Sequence, residues 1–178
     1  MGHFYFVRHG ESLWNVENKI CGKTDIDLSE RGYEQARAAA LAILDQNLKI
    51  DVILSSPLKR ALHTAEVISS LCGIPLKVEE RLIEQDFGRF ESTPRNGEEF
   101  RIAKTHFIDS FGDGETMLKT AHRIYSVLDE IVKDEDRVVL IAAHNGLARI
   151  IESYFRDMTN EEFASFGIGN AEIRRYDF

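Results

Sequence analysis

Residues 4–10 read Phe4-Tyr5-Phe6-Val7-Arg8-His9-Gly10. Four apolar, β-prone residues run into two basic ones and a glycine, which predicts a buried strand whose C-terminal end delivers polar side chains. The pattern returns twice. Asp51-Val52-Ile53-Leu54 predicts a strand leading into Ser55-Ser56-Pro57, and Val138-Val139-Leu140-Ile141-Ala142 predicts another leading into His144-Asn145. Between these runs the apolar spacing becomes helical. From Ser29, a good N-cap, it picks out Tyr33, Ala36, Ala40, Ile43 and Leu44. Pro57, as first helical residue behind a serine cap, is expected to open a helix carrying Ala61, Leu62, Ala65 and Ile68 and ending near Gly73.

Leu76 to Val78 predicts a short third strand. Residues 79–114 then lose periodicity and collect Gly88, Pro94, Gly97, Gly112 and Gly114, the composition of a lid or loop region. Met117, Ala121, Ile124, Leu128 and Ile131 mark a long helix, and Leu147 to Phe155 the helix after the His144 strand. Thr159-Asn160-Glu161-Glu162 has the form of a capping box, and Ala171 to Tyr176 that of an edge strand. Strands alternating with helices imply a three-layer α/β/α fold: a mostly parallel sheet, helices on both faces and an edge strand at the C-terminus. The expected organisation is one domain over 1–178 with a lid at about 79–114. Ligands of such sheets bind beyond the carboxyl ends of the strands. The topology therefore gathers Arg8-His9, Ser55 to Arg60 and His144-Asn145 on one edge.

Composition narrows the class of function. A chain of 178 residues with 43% hydrophobic content can bury a full core without staples. Its formal charge is −8, and no basic run suggests nucleic acid. Cys21 and Cys72 form neither a disulfide framework nor a zinc pattern, so a reducing compartment and no metal are expected. MGHFYFVRHGE lacks the features of a signal peptide, and Phe6 occupies the position where a myristoylation signal needs Ser or Thr. The reading is cytoplasmic, without membrane partners; a homodimer stays open.

Two histidines and two arginines converging on one sheet edge suit an anion that must also be attacked. A phosphoryl group needs cations around its equatorial oxygens, a nucleophile in line and an acid behind the leaving oxygen. Arg8 and Arg60 offer permanently charged planar forks. His144 can donate another hydrogen bond. His9 can attack if one ring nitrogen is unprotonated while an acceptor holds the other. Rival motifs fail. Gly22-Lys23-Thr24 resembles the end of a P-loop, but Glu17 stands where its first glycine belongs. A cysteine phosphatase needs Arg six residues after Cys, where this chain has Asp27 and Val78, and no Gly-x-Gly-x-x-Gly follows the first strand.

The residues that carry this chemistry resemble the histidine phosphatase superfamily in its phosphoglycerate-mutase-like branch. The resemblance rests on five ordered blocks: Phe6 to Asn15 with Arg8-His9-Gly10; Asp27 to Gly32 with Gln35-Ala36; Ser55 to Ala61 with Thr64-Ala65; Leu82-Ile83-Glu84 with Phe87-Gly88; and Ala143-His144-Asn145-Gly146. It implies that His9 is phosphorylated, that Arg8, Arg60 and His144 bind phosphoryl oxygens, and that Glu84 protonates the leaving group. Asn15 matches a phosphate-contacting position, and Gly10 and Asn145 are the candidate substrate neighbours within the motifs. Ser55 and Thr24 are candidates for the substrate or for forming their own turns. Glu91-Ser92 departs from the Glu-Gly of many members and leaves the shape of that loop open.

The implied activity is that of a phosphoric monoester hydrolase of histidine acid phosphatase type. Its partner would be a small phosphate ester, and no cofactor is needed. A mutase shares the same residues but must exclude water, and residues 79–114 alone are available for enclosure. A silent phosphoester-binding module is the alternative of another class. In the lid, Arg89, Arg95, Arg101 and Lys104 could read a second substrate anion or be solvated. Phe87, Phe90, Phe100, Phe107 and Phe111 read as packing, and His3, His63, His106 and His122 as surface or core residues.

Overall fold

The computed structural model describes residues 2–178. In chain order its elements are β1 (His3–Arg8), α1 (Leu13–Val16), α2 (Glu30–Asp45), β2 (Val52–Ser55), α3 (Lys59–Cys72), β3 (Leu76–Val78) and α4 (Glu98–Ala103). They continue with α5 (Met117–Ile131), β4 (Val139–Ala143), α6 (Asn145–Phe155), α7 (Asn160–Ser165) and β5 (Ile173–Asp177). The strands form one sheet in the order β3-β2-β4-β1-β5. The first four are parallel, and β5 pairs antiparallel to β1, with Tyr5 opposite Arg175. The mostly parallel sheet and the C-terminal edge strand are as expected.

Alternation along the strands sorts the core into two layers. Phe4, Phe6, Ile141 and Ala143 face one way, against Ile124 and Leu128 of α5 and Leu147 and Ile151 of α6. Tyr5, Val7, Leu140 and Ala142 face the other way, against Ala39, Ala40 and Ile43 of α2 and Ala65 and Ile68 of α3. Both faces of β4 are therefore covered, which is why it reads as an unbroken apolar run. Each large aliphatic or aromatic side chain buried in this way contributes roughly 1.5–3 kcal/mol.

Two sequence expectations shift. Leu44 is half exposed, and Ala39 takes the inward position on α2. Pro57 does not open α3: the helix begins at Lys59 behind Leu58, whose side chain caps nothing. Asp25, from a distant loop, accepts the Lys59 N–H at 2.8 Å instead. Ser29 caps α2 and Thr159 completes its capping box, as their spacing predicts. Gly73 ends α3 in the left-handed region at φ 70°.

Residues 79–114 contain two short 3-10 turns and α4. Phe87, Phe90, Phe100 and Phe111 pack there with Ile20 and Ala103 into a third cluster, while Phe107 joins the sheet core beside Phe163. Ser92 sits at φ 66°, a region that favours glycine.

Candidate active site

Four parallel strands direct their carboxyl ends to one edge, so Arg8-His9, Ser55 to Arg60, and His144 emerge side by side. Glu84 follows β3 on the same edge. His9 is only 5% exposed. Its Nδ1 lies 2.6 Å from the Gly10 carbonyl, which can only accept, so that nitrogen carries the proton and Nε2 keeps its lone pair. Burial, then Arg60, then Arg8, push the imidazole pKa well below its usual value. The Gly10 N–H donates to Thr64 Oγ1, whose hydroxyl donates to the Arg60 carbonyl. Asn170 Nδ2 donates to the His9 carbonyl and to Asn15 Oδ1. The backbone around His9 is thereby tied to α3 and to the loop before β5.

Arg60 is 1% exposed and spends two N–H groups on the Gly22 and Thr24 carbonyls, at 2.6 and 2.9 Å. That loop is itself held by Glu91, whose carboxylate accepts from Gly22 N, Lys23 N, Thr24 Oγ1 and Phe87 N. Arg8 donates to the Ile168 carbonyl at 2.6 Å; burial, then Arg95, lower its pKa to about 10.

The His144 ring centre lies 5.3 Å from that of His9. Its Nε2 is 2.7 Å from Ser56 Oγ, which also accepts the Leu58 N–H. The Ser56 proton is then free to go to Nε2, leaving the His144 proton on Nδ1, a buried donor. Burial, then Arg60, hold this imidazole neutral as well. Glu84 is 4% exposed and accepts from Gln85 N and from Gly146 N at the start of α6, each at 2.9 Å. Burial outweighs these bonds and raises its pKa. Gly146 is required by close approach, since a Cβ there would lie 2.9 Å from the Glu84 carboxyl carbon.

Arg8, His9, Asn15, Glu84 and Asn145 line one cavity of about 200 Å³, together with Lys19, Arg95, Lys104 and Arg149. Arg60 and His144 are buried and are not among the residues that line it. Four buried side-chain atoms among the described residues have no hydrogen-bond partner: Arg8 Nε, Arg60 Nε, His144 Nδ1 and Arg149 Nε. Arg8 and Arg149 line the cavity itself, and a negative group there is what would satisfy buried donors of this kind.

Other candidates are otherwise engaged. The Ser55 hydroxyl donates to the Ser56 carbonyl, and that of Thr24 to Glu91. Asn15 accepts the Ser12 N–H in the capping box of α1, and Asn145 accepts from Ile168 N, yet both still border the cavity. Arg89 and Arg101 turn outward to Glu99 and Glu98. The sequence reading missed Ser56 and Arg149. Arg149 left a signal: it stands one helical turn after Asn145, on the buried side of an amphipathic helix.

An unprotonated buried nitrogen, arginines beside it and a carboxyl whose pKa burial raises form a set suited to transferring a phosphoryl group. The comparisons agree with this chemistry. The family model for the histidine phosphatase superfamily (branch 1) matches residues 4–178. Phosphoserine phosphatase 1 of Hydrogenobacter thermophilus is 33% identical over 174 residues, 93% of this chain and 81% of that protein. The 2,3-bisphosphoglycerate-dependent phosphoglycerate mutase of Cytophaga hutchinsonii is 28% identical over 97% of this chain and 85% of its own length. A mycobacterial glucosyl-3-phosphoglycerate phosphatase solved with VO3 superposes with a TM-score of 0.85 at 27% identity, covering 98% of this chain and 90% of that one. With the motifs in order, the site assembled and the match running from Phe4 to the last residue, the chain belongs to the histidine phosphatase superfamily, branch 1, as a phosphatase or mutase.

Proposed function

We propose that the protein is a phosphomonoesterase that works through a phosphohistidine at His9. The observation that carries the reading is a buried imidazole whose Nε2 bears no proton, with Arg8 beside it in the cavity, the His144 ring 5.3 Å away, and buried N–H groups of Arg8, Arg60 and His144 left without partners. In this reading Nε2 attacks phosphorus as the ester P–O bond breaks. Arg8, Arg60 and the His144 Nδ1–H stabilise charge on the equatorial oxygens. Glu84 gives its proton to the departing oxygen, and the alcohol leaves. The resulting carboxylate then takes a proton from water, whose oxygen attacks phosphorus. The P–N bond breaks, phosphate departs and His9 is neutral again.

Asn15 and Asn145 border the substrate, and Gly10 holds the nucleophile's tautomer. Thr24 and Ser55 act through the loops they tie. The whole of 1–178 acts as one domain with 79–114 as its lid. Arg95 is exposed and Lys104 half-buried at the cavity, so water reaches it, which favours hydrolysis over transfer back to substrate. The names of the phosphoserine and glucosyl-3-phosphoglycerate phosphatases support the same choice, and the mutase relative keeps isomerisation as the second reading.

The test measures released phosphate against isomerised product on a panel of phosphomonoesters, with 3-phosphoglycerate plus its bisphosphate included. Phosphate release that His9→Ala lowers at least a thousandfold, with acid-labile phosphate trapped on the native chain, is the expected result. Isomerisation without release would replace the reading with a mutase. Phosphate binding without a phosphohistidine would replace it with a silent binding module.

A further inference from the structure

The two groups that the buried Arg60 guanidinium bonds, the Gly22 and Thr24 carbonyls, are neutral. Whatever fixes those carbonyls therefore fixes the fork. The peptide unit between Gly22 and Lys23 is held at both ends: its C=O accepts from Arg60 Nη2 at 2.6 Å, and its N–H donates to Glu91 Oε1 at 3.0 Å. The C=O and N–H of a trans peptide lie in one plane and point in opposite directions. Arg60 and Glu91 thus stand on opposite sides of one rigid group, and cation and anion polarise it in the same sense.

The rest of the Glu91 carboxylate is committed to the same purpose. Its Oε2 accepts from Gly22 N at 3.1 Å and Thr24 Oγ1 at 2.7 Å, and its Oε1 also accepts from Phe87 N at 3.1 Å. Three of its four donors come from the turn over Arg60 and the fourth from the lid. A Cβ on Gly22 would collide with Glu91 Oε1 and the Gln85 carbonyl, so the turn is fitted closely around this side chain. On the lid side, Ser92 N donates to the Ile20 carbonyl and Ile20 N to the Thr93 carbonyl, while Ile20 packs with Phe87 and Phe90. A second tie between turn and lid, Lys23 to Asp86 at 2.8 Å, is exposed on the lysine side and contributes little. The half-buried Glu91 carries the connection.

We propose that Glu91 is a positioning residue for phosphoryl transfer: through the Gly22–Lys23 peptide it aims the Arg60 fork, and through the Phe87 N–H it makes that aim depend on the seating of the lid. Glu91 is not among the residues that line the cavity, so it acts through Arg60 and not on substrate. The inference rests on the phosphatase reading, in which Arg60 stabilises charge on the equatorial oxygens. Glutamine cannot replace it. An amide has one oxygen and one NH2, and either way round the NH2 meets a backbone N–H, of Gly22 or of Lys23 and Phe87, that can only donate.

The test measures kcat/KM on glycerol 3-phosphate and p-nitrophenyl phosphate for Glu91→Gln, Arg60→Met and the double variant, with urea unfolding alongside. A 1 Å misplacement costs on the order of 100-fold, and a partly broken anchor moves Arg60 by less, so Glu91→Gln should lose about 10- to 100-fold. The loss should be equal within about threefold on the two esters, because Arg60 serves the phosphoryl oxygens and not the leaving group. In the Arg60→Met background, with no fork left to aim, Glu91→Gln should cost under about threefold more. Lys23→Met, which removes only the exposed tie, should stay within about twofold of the native chain. If Glu91→Gln does not fold, Thr24→Val, which breaks one of the four bonds at nearly constant shape, should lose about threefold or more on both esters. Losses that add in the double variant, a loss confined to the alkyl ester, a Lys23→Met loss as large as that of Glu91→Gln, or a Thr24→Val chain with native rates each overturn the positioning role alone. A native chain that releases no phosphate even from p-nitrophenyl phosphate overturns the phosphatase reading and this role with it.

Discussion

Gly146→Ala tests whether the acid works through its seat on α6. The added Cβ would stand 2.9 Å from both the carboxyl carbon and Oε2 of Glu84, and closer still to Oε1, where ordinary contact begins at 3.4 Å. The carboxyl group must therefore retreat by about 0.5–1 Å, and its 2.9 Å bond from Gly146 N is lost or bent. A displacement of that size at a reacting group costs on the order of 100-fold in rate. Stability should change little, because replacing glycine by alanine in a helix gains about 0.5–1 kcal/mol, which offsets part of the clash. The assay is kcat/KM on an alkyl phosphate and on p-nitrophenyl phosphate, with urea unfolding as the control. A loss of about 100-fold on the alkyl ester and under tenfold on the aryl ester, whose phenolate leaves without a proton, is the expected outcome. Equal losses on both esters, or none on either, would refute the role given to the Gly146–Glu84 contact.

Burial raises the Glu84 pKa, so the protonated acid persists to higher pH than an ordinary glutamate, and kcat/KM for alkyl esters should fall on an alkaline limb. Glu84→Gln should abolish that limb while lowering the plateau by 100-fold or more; a limb that survives in the variant would point to another group. His9 and His144 both have folded pKa values well below their unfolded 6.5, so the unfolded state binds more protons and stability drops as pH falls below 6.5. The two together give roughly 2.7 kcal/mol per pH unit, reduced to about 1.4 where Glu84 takes up its proton with the opposite sign. Urea unfolding at pH 6 and pH 5 measures this, and a flat profile would contradict the neutral imidazoles. Ser92→Gly relieves the φ of 66° and should stabilise the fold by about 0.5–1 kcal/mol; a lower melting temperature would show that the serine side chain compensates its backbone.

The architecture was legible because it depends on patterns that are local in the chain. Apolar runs of strand length, helical spacing from Ser29 and Met117, and the capping box at Thr159 each report their own element. Parallel strands then force Arg8, His9, Arg60 and His144 onto one edge without any knowledge of contacts. The start of α3 was misread because its cap, Asp25, comes from a loop 34 residues away, and no local pattern reports such a partner. Ser55 and Thr24 stayed open between ligand contact and turn; in the fold the Ser55 hydroxyl donates to the adjacent Ser56 carbonyl and that of Thr24 to Glu91, 67 residues away.

The sequence by itself determined the layer order and the strand ends on which Arg8-His9 and His144-Asn145 emerge, since each follows from neighbours along the chain. Only the tertiary structure decided which nitrogen of His9 is free, in which direction the Glu84 pKa moves, and which lid cations face inward. Those properties depend on burial and on charges brought together across the chain: Arg60 beside His9, the first turn of α6 beneath Glu84, and Arg149 with Lys104 in one cavity. Electrostatic free energy is set by distance and solvent exposure, and neither is a property of any short stretch of sequence.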